Sequence, residues 1–264
     1  MVEPLPPPLV EDAAEPAGSS DEPGPVVILA YDGLAADEAS VLIEILTAAD
    51  LDVTIASVLA APVTSYNGKV VVTRPAADIE RCSALLVPGG LGVRTTAENP
   101  AVLRAIAELS TKARWLGATS TGSVLLAAAG IIDGARVTTH WLAGDLITDR
   151  GLELSEEPLV EWGRLLTASG IVGTADLSFR LVGALRGHQA EARIRAVFVP
   201  PPADADPRYQ RSSRRWWRRL TELGRGRADR SSRKQVVDEE RVLSLMDPEG
   251  RADVIVLDLT NDKP

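Results

Sequence analysis

Three stretches of this 264-residue chain carry residue types that do chemistry. Ala118-Thr119-Ser120-Thr121-Gly122 sets a serine between an apolar run and a small-residue segment, the pattern of a nucleophile elbow. A serine there attacks a carbon centre or holds a ligand. Attack needs an adjacent general base, because an alcohol is far less acidic than a thiol. Val87-Pro88-Gly89-Gly90 closes another apolar run, and turns of this kind expose backbone N–H groups, a natural place to hold an oxyanion. Gly89 and Gly122 belong to the same ligand-holding turns. Glu38 follows the first apolar run and acts as a base only if burial raises its pKa; Asp37 is read as solvated. His140 acts as a base only if a ring nitrogen reaches the hydroxyl. Ser120, Glu38 and His140 are thus the candidate catalytic set. The order Ser then His after only 20 residues does not fit an α/β-hydrolase.

The same composition excludes other chemistry. One cysteine, Cys82, and two histidines leave no multi-cysteine or His-rich metal centre to expect. Gly90-Leu91-Gly92 lacks the third glycine of a dinucleotide fingerprint and the chain has no P-loop, so no cofactor is expected.

The elements that must position these residues follow from periodicity. Val26–Ala30, Leu51–Leu59, Ala84–Val87, Trp115–Thr119, Ala135–Thr138 and Leu165–Ala168 read as strands, several of them fully apolar. Asp37–Ala49, Pro100–Leu109, Thr121–Ile131 and Val172–Leu185 read as helices, with His188 as a charge capping the last. Asn67-Gly68 between Val63–Tyr66 and Lys69–Thr73 is a hairpin signal. Alternating strands and helices predict βαβ units and a mainly parallel sheet, with ligands gathered beyond the carboxyl ends of the strands. Asp32 and Glu38, Gly89-Gly90, Ser120 and His140 should therefore meet on one rim.

Ser120-Thr121-Gly122-Ser123, Leu126–Gly130, Asp133-Gly134 and Thr138-Thr139-His140-Trp141, in that order, resemble the ThiJ/PfpI superfamily, also called class I glutamine-amidotransferase-like. Tyr31-Asp32-Gly33, Val87–Gly90 and Thr167–Gly170 add to the likeness, which covers roughly 25–200 and is greatest to isonitrile hydratases and to sensor domains of some transcription activators. The resemblance implies a flavodoxin-like three-layer α/β sandwich, usually a homodimer. It also implies a cysteine nucleophile at the position of Ser120, an acid at Glu38 bonded to that nucleophile, and oxyanion donors at Gly90 and Thr121. Cys82 cannot replace the thiol, since it starts the strand that ends at Pro88.

Charge divides the chain. Residues 1–24 hold six acids, no base and six prolines, and read as an unstructured acidic arm. Residues 25–207 form the α/β domain. Residues 208–234 hold ten arginines, one lysine and two acids, and 235–264 form an acidic tail with one strand-like piece. Arg214, Arg215, Trp216, Trp217, Arg218 and Arg219 within the basic segment offer a contact for nucleic acid or an anionic surface, although a clamp onto the acidic body suits them equally. No membrane span and no signal peptide are expected, which places the chain in the cytoplasm. The expected function is a small-molecule-binding or regulatory domain that lacks the catalytic thiol. The alternatives are a hydratase, hydrolase or amidotransferase-like enzyme using Ser120, Glu38 and His140, and a nucleic-acid-associated regulator.

Overall fold

A computed structural model describes residues 24–199 apart from 59, 60 and 72. The Arg214–Arg219 contact for nucleic acid and the strand-like piece of the tail lie outside the described residues.

Seven strands form the main sheet: β1 Val26–Leu29, β2 Val53–Ser57, β3 Arg74–Pro75, β4 Cys82–Val87, β5 Ala113–Thr119, β6 Leu159–Trp162 and β7 Leu165–Ala168. Their order across the sheet is β6-β7-β5-β4-β1-β2-β3, and every pairing is parallel except β6 with β7. Strands β1 and β4 are buried at every position, which explains the unbroken apolar runs Val26–Leu29 and Ala84–Val87. Helices cover both faces. Helix α1 (Ala36–Ala48) packs against α4 (Gly170–Arg186), while α2 (Pro100–Lys112) packs against α3 (Gly122–Ala128). The result is a flavodoxin-like three-layer sandwich.

Local signals account for much of this. Asn99 caps α2 by accepting from the Ala101 N–H at 3.0 Å, with Pro100 as the first helical residue. The hairpin forms at Val63–Thr64 and Val70–Val71, and Gly68 takes φ 82° in the turn.

Two readings need correction, and one strand is added. The Ala135–Thr138 run is a strand only at Arg136–Val137, and it pairs with Glu153–Leu154 in a separate two-stranded sheet. It is therefore no strand of the main sheet, yet the loop after it reaches the elbow, where Thr139 Oγ1 donates to Ser120 O at 2.9 Å. Strand β6 is an antiparallel edge joined to β7 through Gly163, which takes φ 58°. Two exposed residues in β6 masked its pattern. His188 does not close α4; it opens a further helix, α5 (His188–Phe198), after Gly187 breaks the chain with φ 86°. Its ring faces Glu191 at 3.7 Å, and Arg186 is the cation in the last turn of α4.

Candidate functional site

The site begins with strand register. Pairing of Leu86 with Gly117 and of Val87 with Ala118, continued past the strand ends, sets Pro88-Gly89 beside Thr119-Ser120. Pairing of Ala168 with Thr119 brings the end of β7 to the other side, where the Ser120 N–H donates to Ala168 O at 2.7 Å. Ser120 takes φ 51°, a left-handed conformation that costs a residue with a Cβ about 1–2 kcal/mol. The turn is held by carbonyl contacts: Ser120 O accepts from Thr139 Oγ1 at 2.9 Å and from Ser123 Oγ at 3.2 Å.

Packing here leaves no room for side chains. A Cβ on Gly89 would lie 2.7 Å from Ser120 Cβ, and one on Gly122 would lie 2.0 Å from Val87 O. Gly90, at φ 150°, would place a Cβ 2.2 Å from Gly33 O. The loop before α1 is tied to the same turn, since Ala35 N–H donates to Gly89 O at 2.7 Å.

That tie sets Glu38, in the first turn of α1, against the elbow. Glu38 is 6% exposed. Its Oε2 accepts from Thr119 Oγ1 at 2.6 Å and from Gly89 N–H at 3.1 Å. Burial pushes its carboxyl pKa above the ordinary 4.5. Bonds from Thr119, Gly89 and, more weakly, the Ser120 hydroxyl oppose that rise, while the Asp37 charge adds to it. Thr119 and Tyr31 are site residues that the motifs do not single out. Buried Tyr31 donates to Pro88 O at 2.8 Å and props the glycine turn. Burial, then the neighbouring Glu38 charge, holds its phenol well above 10. Adjacency to the elbow was the available signal for Thr119; Tyr31 had its place after β1.

Two expected roles meet other partners. Gly90 N–H donates to Thr121 Oγ1 at 2.9 Å, and that hydroxyl lies 3.2 Å from Gly90 O. A ligand oxyanion would have to displace the Thr121 side chain. His140 is half-buried and makes no hydrogen bond to Ser120 or Glu38 among the described residues; its Nδ1 accepts from Leu142 N–H at 3.2 Å. That contact is local to the His140–Leu142 turn and does not align the ring with the Ser120 hydroxyl. His140 stacks on Trp141, with ring centroids 5.7 Å apart. Both line a cleft of about 570 Å3 with Thr139, Ser155, Glu156 and Ser169, of which Thr139 bonds the Ser120 carbonyl and Ser169 follows the Ala168 that Ser120 bonds. Trp141, 80% exposed, stands at its rim. No group of three or more His, Cys, Asp or Glu suited to a metal occurs among the described residues.

A parallel α/β sandwich with a strained strand-to-helix elbow, a glycine turn and a buried carboxylate beneath it defines a class of domain. The chain belongs to the DJ-1/PfpI family, whose pattern it matches over residues 25–184. It is 33% identical over 150 residues to isonitrile hydratase of Pseudomonas putida, a match covering 54% of this chain and 65% of that protein. It is 31% identical over 141 residues to the HTH-type transcriptional regulator CdhR of Pseudomonas aeruginosa, covering 52% of this chain and 42% of the regulator. The chain thus spans less than two thirds of these relatives. A crystal structure of a ThiJ/PfpI family protein from Pseudomonas syringae superposes with a TM-score of 0.63 at 22% identity, covering 72% of this chain and 86% of that one. Drosophila melanogaster DJ-1beta gives 0.60 at 16% identity, covering 66% and 96%.

Proposed function

We propose that this domain binds a small polar molecule at the elbow and serves as a binding or regulatory module without nucleophilic turnover. The observation that carries this reading is that His140 makes no hydrogen bond to Ser120 among the described residues, its Nδ1 instead accepting from Leu142 N–H. Ser120 then has no aligned imidazole base, and an unassisted hydroxyl is a weak nucleophile. Occupation of Gly90 N–H by Thr121 Oγ1 supports the same reading, because one of the two expected oxyanion donors is covered. In the ThiJ/PfpI pattern a thiol stands where this chain has Ser120. The ligand class suggested by the family is a small isonitrile, amide or keto-aldehyde. A thermal-shift panel of such compounds tests this: binders should raise the melting temperature of wild type and Ser120→Ala alike. No shift across the panel contradicts the reading.

A second reading has one observation in its favour. Glu38 is buried beside the elbow with a raised pKa, the condition a carboxylate needs to act as a base near neutral pH. On that reading the domain hydrates or hydrolyses its ligand through Ser120 and Glu38.

A further inference from the structure

A cavity of about 730 Å3 lies away from the elbow. Asp52, Cys82 and Ala113 line it, so it opens at the amino-terminal ends of β2, β4 and β5, the opposite pole of the sheet. Its charged lining is Arg81, Lys112, Arg114 and Arg186 against Asp50 and Asp52, an excess of positive charge. Part of that charge serves the fold. Lys112 Nζ donates to Ile79 O at 2.6 Å, and Arg186 Nη2 donates to Asp50 O at 2.9 Å, each from the last turn of a helix. Arg81 and Arg114 are exposed at the starts of β4 and β5.

Gly24 lines the same cleft and fixes where the chain enters it. Gly24 O and Pro25 O accept from Ser83 N–H at 3.2 and 2.9 Å. A Cβ on Gly24 would sit 2.6 Å from Arg81 O, so the backbone is pressed against the start of β4. Gly24 is therefore held on the cleft wall. The 23 residues before Gly24 carry Glu3, Glu11, Asp12, Glu15, Asp21 and Glu22, and no lysine or arginine.

We propose that the acidic segment 1–23 is the tethered occupant of this cationic cleft. Tethering supplies it at an effective concentration that reaches the millimolar range for short linkers, so screened charge contacts suffice to hold it. The docked segment covers Cys82, which is 4% exposed on the cleft wall and is the single cysteine of the chain. Burial pushes the Cys82 thiol up to about 11, against the pull of Lys112 and Arg164. The thiol is therefore a slow, built-in reporter of cover.

The experiment compares full-length wild type with a full-length variant in which the six acids are neutralised (E3Q, E11Q, D12N, E15Q, D21N and E22Q). Alkylation of Cys82 by uncharged N-ethylmaleimide at low salt should be several-fold slower in wild type. Sodium chloride should bring wild type up to the rate of the variant and leave the variant unchanged. R81E combined with R114E, in an otherwise unaltered full-length chain, should alkylate as fast as the neutralised variant. Backbone amide exchange over residues 81–83 and 113–115 makes the same comparison without the thiol, and should be slower in wild type. Equal alkylation and equal exchange in wild type and the neutralised variant overturn the proposal. So does further slowing of wild type by added tripolyphosphate, because the cleft would then be open to a soluble anion.

Discussion

Glu38 shows how far residue identity alone reaches. Position after the first strand offers Asp32 and Glu38 alike; the family resemblance points to Glu38, with burial as the condition for base strength. Which atoms hold it was not legible: the Thr119 hydroxyl and the Gly89 N–H come from strands whose register only the fold supplies. His140 shows the opposite case. Its type suggested a base, but its Nδ1 is the acceptor for the amide two residues on, a local arrangement that motif spacing does not encode. The raised pKa of Glu38 has a consequence for stability. The folded chain holds the Glu38 proton more tightly than the unfolded chain does. Its contribution is complete below the unfolded value and is lost as pH rises through the folded one. Glu38→Gln retains an acceptor and removes the titration. Melting temperatures of wild type and variant should converge near about pH 4, and the variant should melt higher at neutral pH, by about 2–4 °C for each kcal/mol of the difference. A constant gap across that range contradicts the assignment.

At the scale of elements, the buried strands and long helices were legible because each has a single period. The short pieces were not. Arg136–Val137 has two residues and pairs outside the main sheet, so the run before His140 is not one of that sheet's strands. The edge strand Leu159–Trp162 presents exposed Glu161 and Trp162, which break its apolar alternation. The crowding at the elbow belongs to this scale, because it is where β4, β5 and α3 converge. Gly122 lies so close to β4 that a methyl group would meet Val87 O at 2.0 Å. Gly122→Ala should therefore destabilise the domain by about 1–3 kcal/mol through forced backbone movement. Urea unfolding checks it, with a lower midpoint and an unchanged slope expected. An unchanged midpoint would mean that the elbow has slack and that Ser120 is not rigidly held.

For the whole molecule, net charge was the least informative number until it was divided along the chain. The division separated an acidic segment at one end of the domain from a basic segment at the other, and the fold then placed a cationic cleft where the acidic one begins. None of the helices among the described residues is long and apolar enough to cross a membrane. The elbow and the cationic cleft lie at opposite ends of one parallel sheet, so they can be altered separately. The central claim concerns the elbow: it holds a ligand, and Ser120 does not attack that ligand. The direct measurement is turnover of small isonitriles and amides by wild type and by Ser120→Ala at matched concentration, with binding confirmed for each. Equal rates, at the level of the uncatalysed reaction, are predicted. Turnover by wild type that disappears in Ser120→Ala would contradict the claim and make Ser120 a nucleophile.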